Sequence, residues 1–446
     1  MDFKFGVRMA HYNSKKNKAI IDGFFIVAQS DPVIFKKMFN FVEKSLIRRI
    51  RSAFEYPSIA FNVKFYVPPT FLERVCVHQN MKPLKLTTKA LVFMPEELIC
   101  PQHLTKDANA IRIRFLCNSK LKNLSSKLKQ EKKKKTGTLS NPSSPALDSS
   151  SKLSEQVSKD LAELDGVDPD AVLPVSPTTL HLSTTAFEDN WLTPEEKPLL
   201  SKVMFYIHGG GFAAMSSSSH QNYLLKWAIE LGVPIFSVDY RLAPAVQYPE
   251  IPNDVIRSYV WMLAFLKYVL KVEPTKILVS GDSAGGNLAA VLTTWCIENS
   301  VRAPDHLLVH YPATLIDDKR YTPSLNYSFT DYMLNYGALR MCISYYVPKG
   351  ADGKKDYYLS PVATPPAILA RYPPTDVFIC ERDPLCDDGF RFASCLVEAG
   401  VKTKVYFFRH ICHVLLSMAI KGGGGIPEAY IYEENSRKRL MEILSK

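Results

Sequence analysis

From about residue 200 to the end, short apolar runs alternate with longer amphipathic ones. Val203–Ile207, Pro234–Val238, Lys276–Ser280, Leu307–His310, Val377–Cys380 and Lys404–Phe408 are each too short for a helix and rich in branched or aromatic residues, so they predict buried strands. Asp254–Val272, Asn287–Ile297, Asp387–Ala399 and Ile426–Ile443 carry apolar residues at helical spacing and predict helices between and after them. Such alternation predicts an α/β fold, a mostly parallel central sheet flanked by helices on both faces. Between Pro312 and Val347 the pattern breaks into an aromatic-rich stretch with Tyr321, Tyr327, Phe329, Tyr332, Tyr336, Tyr345 and Tyr346, which predicts a helical cap over a pocket. Upstream, Val33–Phe54 is helical in pattern and Phe65–Ile99 irregular, rich in proline and β-branched residues.

Charge divides the chain further. The formal net charge is +11, but Lys120–Lys135 holds eight lysines against one glutamate, +7, leaving only +4 elsewhere. That run merges into a Ser- and Pro-rich segment poor in aromatics, which lacks the apolar surface to fold alone. The expected organisation is therefore an N-terminal region over 1–118, small and of unassigned task, a Lys/Ser-rich disordered linker over 119–170, and a catalytic domain over 171–446. A lysine run in a linker is a solvated spacer, or a foothold on an anionic lipid surface worth about 1 kcal/mol per lysine. No nucleic-acid-binding motif accompanies the positive charge. Nine cysteines, an odd number without metal-ligand spacing, predict reduced thiols, a cytoplasmic setting and no metal. The N-terminus lacks the apolar core of a secretion signal, and no apolar run is long enough to span a bilayer. A protein that meets lipid only peripherally is expected.

Candidate chemistry sits at two turns. Val279-Ser280-Gly281-Asp282-Ser283-Ala284-Gly285 follows a predicted strand and opens a predicted helix, which places Ser283 on a tight strand-to-helix turn with its hydroxyl raised above the sheet. Glycines at 281 and 285 leave room for that turn, and the helix N-terminus beginning at Ala284 turns backbone N–H groups toward developing negative charge. Upstream, His208-Gly209-Gly210-Gly211-Phe212 follows another strand and supplies the second half of an oxyanion hole.

A serine needs a base and an acid to orient that base, in the chain order serine, acid, histidine on this kind of fold. After Ser283 come His306, His310, His410 and His413. The first two lie in an alternating run before any suitable acid and read as structural. His413, in a loop after the last strand, is the favoured base and His410 the alternative. Asp383, held extended by Pro384, is the favoured acid, with Glu381 as competitor and Asp387 or Asp388 as helix caps. No organic cofactor is required.

With these residues in view, roughly the last 245 residues resemble the hormone-sensitive lipase family of α/β-hydrolases. The resemblance rests on HGGGF followed by Ser216–Ser219, His220 and Tyr223, on SVDYRLAPAVQYP (237–249), on GDSAGGNL, HYPAT and DPLCDD, and on the place of His413. It implies an α/β-hydrolase fold with Ser283 as nucleophile, Asp383 and His413 as acid and base, and Gly209, Gly210 and Ala284 as oxyanion donors. His208, Gly211 and Asp282 support those motifs. Implied substrates are acylglycerols and other hydrophobic neutral lipid esters, with the cytoplasm or a lipid droplet as the setting. Val414, Ala245 and Arg382 depart from the family pattern, and the 100 residues between Ser283 and Asp383 leave no room for the family's phosphorylated insertion. A short-chain carboxylesterase or deacetylase is the nearest alternative, and a non-catalytic ligand receptor on the same scaffold the more distant one.

Overall fold

The computed structural model describes residues 61–67, 111–117, 121, 124, 191–317, 321–329, 331, 334–413, 416, 419 and 427–445. Expectations for Val33–Phe54, the lysines of Lys120–Lys135, most of 119–170, Cys76, Cys100 and Gly422–Gly425 lie outside the described residues. The elements below belong to the compact unit built from Met1–Ser125 and Leu192–Lys446; Ser126–Trp191 groups separately.

Strands β1 (Phe61–Val67), β2 (Ile111–Cys117), β3 (Lys202–Ile207), β4 (Ile235–Asp239), β5 (Lys276–Asp282), β6 (His306–His310), β7 (Thr375–Cys380) and β8 (Thr403–Phe408) form one 8-stranded sheet. Their spatial order is β1-β2-β4-β3-β5-β6-β7-β8. All neighbouring pairs from β4 to β8 are parallel, and β1 and β2 add an antiparallel edge. The longer helices are α1 (Gln221–Glu230), α2 (Glu250–Ala264), α3 (Ala284–Glu298), α4 (Tyr336–Tyr346), α5 (Cys386–Glu398) and α6 (Pro427–Ser445). A mostly parallel sheet is covered on both faces, which is why β6 and β7 are buried at every position and carry the apolar stretches Leu307–Val309 and Val377–Cys380.

One expectation is corrected here. Residues 61–67 and 111–117, assigned from the sequence to a separate N-terminal region, are strands of the catalytic sheet: β2 pairs with β4 from Arg112↔Asp239 to Leu116↔Ile235. The open flank of β4 accounts for this, since the buried Ile113, Phe115 and Leu116 continue its apolar layer and satisfy its edge. The predicted aromatic cap stretch contains a 3₁₀ turn at Pro323–Phe329 and helix α4.

The topology positions the chemistry. β3 lies between β4 and β5, so the strand order reverses there, and loops leaving the carboxyl ends at such a reversal open a crevice. The glycine-rich turn leaves β3 and the Ser283 turn leaves β5, with Ile207 opposite Gly281 in register. Asp383 and His413 follow β7 and β8 along the same edge.

Candidate active site

Ser283 sits between β5 and α3 at φ 55°, ψ −119°, a left-handed conformation rarely adopted by a side-chain-bearing residue. Its surroundings leave no slack. A Cβ on Gly281 would lie 2.3 Å from Gly285 O, and one on Gly285 would lie 2.1 Å from Ile207 O. The turn is pinned from below by the Ser283 N–H, which donates to His310 O at 2.9 Å.

His413 Nε2 lies 2.9 Å from Ser283 Oγ, and its Nδ1 lies 2.7 Å from Asp383 Oδ2. All three residues are buried. The other carboxylate oxygen of Asp383 accepts the Leu385 N–H at 2.7 Å, which fixes its orientation. Burial disfavours a charged imidazole at His413, but the Asp383 carboxylate beside it, with Asp331 and Asp282 further off, outweighs burial and raises its pKa above the ordinary histidine value. The arrangement is chemically that of a hydroxyl nucleophile with a base and an orienting acid.

The competing residues fall elsewhere. The His410 ring is 66% exposed, with Nδ1 3.3 Å from Glu381, which places both at the surface. His310 is fully buried with Nδ1 3.0 Å from Tyr432 Oη, and His306 lies 3.2 Å from Asp376. Burial takes the pKa of His310 down to about 3, so it stays neutral. Asp387 and Asp388 are not caps for α5, as the sequence suggested. Asp387 Oδ2 accepts the Ser324 N–H at 2.8 Å and Asp388 Oδ2 the Leu315 N–H at 3.2 Å, so both bind the cap segment to the acid loop.

The glycine loop after β3 is held by the nucleophile turn itself. Asp282 Oδ1 accepts the Gly209 N–H at 2.9 Å and the Tyr206 hydroxyl at 2.9 Å, and His220 Nε2 stands 3.1 Å away. Burial opposes the charge on Asp282, but His220 and the Tyr206 hydroxyl reverse that and bring its pKa to about 2. This corrects the expectation for Gly209: its N–H is committed to the Asp282 carboxylate and is not aimed at a substrate oxygen. By contrast, Gly210, Gly211 and Ala284 have N–H groups with no acceptor among the described residues. His208 is a neutral support. Its ring stacks on Tyr240 at 4.2 Å, its Nδ1 lies 2.7 Å from Gly209 O, and burial, with His220 nearby, takes its pKa to about 4.

From outside, the loop is clamped by the cap. Phe212, itself at φ 62°, stacks on Tyr346 of α4 with ring centroids 3.7 Å apart and planes 4° from parallel. A Cβ on Gly211 would lie 2.2 Å from Cys342 Sγ on the same helix. Neither this clamp nor Asp331 was found from sequence, because the clamp joins residues more than a hundred positions apart and Asp331 meets His413 from 82 positions away. Among the described residues no cluster of His, Cys, Asp and Glu could hold a metal ion, and no helix is long and apolar enough to cross a membrane.

Known proteins share this arrangement's scaffold. A family described as alpha/beta hydrolase fold matches residues 204–417. Hormone-sensitive lipase of Bos taurus is 37% identical over 165 residues, 37% of this chain and 22% of the lipase. The chain thus spans about a fifth of the length of that relative. Esterase LipI of Mycobacterium tuberculosis is 30% identical over 230 residues, 51% of this chain and 68% of the esterase. Among solved structures, a bacterial heroin esterase aligns over 91% of this chain and 90% of its own, with a TM-score of 0.57 at 18% identity, a likeness of fold alone. The esterase matched over two thirds of its length at 30% identity, together with the family match over 204–417 and the likeness to hormone-sensitive lipase, places the chain in the α/β-hydrolase family of hormone-sensitive-lipase-like lipases and esterases.

Proposed function

We propose that this protein is a serine carboxylic-ester hydrolase that acts through an acyl-enzyme. The observation that carries the reading is the unbroken relay from Ser283 Oγ through His413 to Asp383, at 2.9 and 2.7 Å. Ser283 Oγ attacks the ester carbonyl while its proton passes to His413 Nε2, and Asp383 stabilises the imidazolium that forms. Collapse of the tetrahedral species expels the alcohol, which takes the proton back from His413. Water, deprotonated by the same imidazole, then releases the carboxylic acid and frees the serine. Oxyanion donors are assigned to Gly210, Gly211 and Ala284, whose N–H groups are uncommitted, rather than to Gly209.

The substrates we assign are neutral lipid esters, acylglycerols first. Support comes from the likeness to hormone-sensitive lipase and from the aromatic cap, where Tyr321 and Phe329 are 72% and 70% exposed. Uptake from a lipid surface, aided by Lys120–Lys135, belongs to the same reading, as does a cytoplasmic or droplet-bound setting. A short-chain esterase is the second reading, favoured by the 28% identity to a relative named ethyl acetate hydrolase, from Pseudomonas putida.

The test is labelling by a fluorophosphonate followed by a substrate panel. Labelling of the wild type and not of Ser283→Ala supports the hydrolase. An inert Ser283 in folded protein points to a ligand receptor on the same scaffold. Release of long-chain fatty acid from emulsified acylglycerols separates the lipase from an enzyme that cleaves only butyrate or acetate esters.

A further inference from the structure

The sheet carries a second concavity at its opposite edge. A cleft of about 590 Å³ opens where β5, β6, β7 and β8 begin and where the last turns of α6 cross them. Lys276 is the first residue of β5 and Ser283 directly follows that strand, so the two sites are separated by roughly 20 Å at about 3.3 Å per residue.

Lys276, Lys402, Lys404 and Arg439 line this cleft, against the carboxylates Asp305 and Asp376. Both carboxylates are already engaged. Asp376 is nearly fully buried, paired with Arg439 and 3.2 Å from His306, while Asp305 Oδ2 accepts the Ile277 N–H at 2.7 Å and an Arg302 N–H at 2.6 Å. Arg439 also reaches Glu442 at 2.8 Å. Counting Arg302 and Glu442 with the lining residues leaves five cations against three carboxylates, a surplus of +2.

The surplus lies on Lys402 and Lys404, which make no ion pair among the described residues, and on Lys276, which spends one of its three donors on Ile443 O at 2.8 Å. Cations gathered in a concavity with low-dielectric walls raise the local potential, and lysine is a point-charge binder of phosphate. Pro374 and Ile443 give the cleft an apolar side, and its volume lies within the range of small-molecule sites.

We propose that this cleft binds a small phosphate-bearing ligand, with Lys402, Lys404 and Lys276 on the phosphate oxygens and Pro374 and Ile443 against its organic body. The buried Arg439–Asp376–His306 group forms the rigid floor. The same chemistry could be presented by a soluble phosphomonoester or by a lipid headgroup.

Calorimetric titration of the full-length protein at low ionic strength with inorganic phosphate, adenosine 5′-monophosphate and citrate tests the site, alongside sedimentation with phosphatidylcholine vesicles containing phosphatidic acid. Saturable binding of the nucleotide, tighter than inorganic phosphate and weakened by salt, is expected. The Lys402→Gln, Lys404→Gln double variant changes two exposed side chains and should weaken that binding about tenfold or more. Hydrolysis of a soluble ester without phosphate present should be unchanged in it. Vesicle binding without nucleotide binding, lost in the same variant, would assign the site to a headgroup instead. No saturable binding of any phosphate probe, equal affinity in the double variant, or equal affinity for citrate would overturn the proposal.

Discussion

Replacing Asp282 with asparagine removes one negative charge from the junction of the serine turn and the glycine loop while keeping the side chain's shape. In the native protein that carboxylate is 1% exposed, accepts hydrogen bonds from Gly209 and Tyr206 and faces His220; burial opposes its charge, but His220 and the Tyr206 hydroxyl outweigh burial and bring its pKa to about 2. Against an ordinary carboxylate near 4, the depression corresponds to about 2 kcal/mol of stability. Because the folded pKa lies below the unfolded one, this contribution is fully present above about pH 4 and is lost as pH falls toward 2. Asp282→Asn should therefore lower the urea midpoint at pH 7 by the equivalent of about 2 kcal/mol, and by about half as much at pH 3. Activity should fall as well, since the Gly209 N–H loses a charged acceptor and the adjoining donors shift. Removing one oxyanion donor outright costs about 100–1000-fold in kcat, so a displaced loop should cost about tenfold or more with little change in KM. An Asp282→Asn protein with native kcat and an unchanged urea midpoint at pH 7 would refute the claim that this carboxylate joins the two halves of the site.

Asp383→Asn should lower kcat by about 10⁴-fold. Since Asp383 raises the pKa of His413 and the base works neutral, the acid limb of kcat/KM should start above the ordinary histidine value and move to lower pH in that variant; an unmoved limb would mean another group sets it. His410→Ala should leave turnover of a soluble ester within about twofold while His413→Ala abolishes it, because only the His413 ring reaches Ser283 Oγ; the reverse ranking would exchange their roles. Tyr346→Leu removes the ring stacked on Phe212, an interaction worth about 1 kcal/mol, and should reduce kcat, while Tyr346→Phe should retain it because the buried hydroxyl has no hydrogen-bond partner among the described residues. Equal kcat values for the two variants would show that the stack does not hold the loop.

How far the sequence reaches depends on the range of the interactions involved. The Ser283 turn, the glycine loop after β3 and the alternation of strands and helices were legible because each depends on neighbours within a few positions: small residues where backbone closes on backbone, apolar runs where both faces of a sheet are covered. Chain order narrowed the base and acid to short loops after β7 and β8, yet His410 and His413 are three residues apart, and local pattern favours His413 without deciding between them. Tertiary packing did, turning the His410 ring outward onto Glu381 and carrying His413 between Ser283 and Asp383. The same applies to Gly209, which resembles its neighbouring glycines in sequence and differs only because Asp282, 73 positions later, captures its N–H. The edge pairing of β1 and β2 likewise awaited the open flank of β4, more than a hundred residues downstream. Local sterics and burial are written into adjacent residues, whereas hydrogen bonds between distant segments take their direction from the assembled fold.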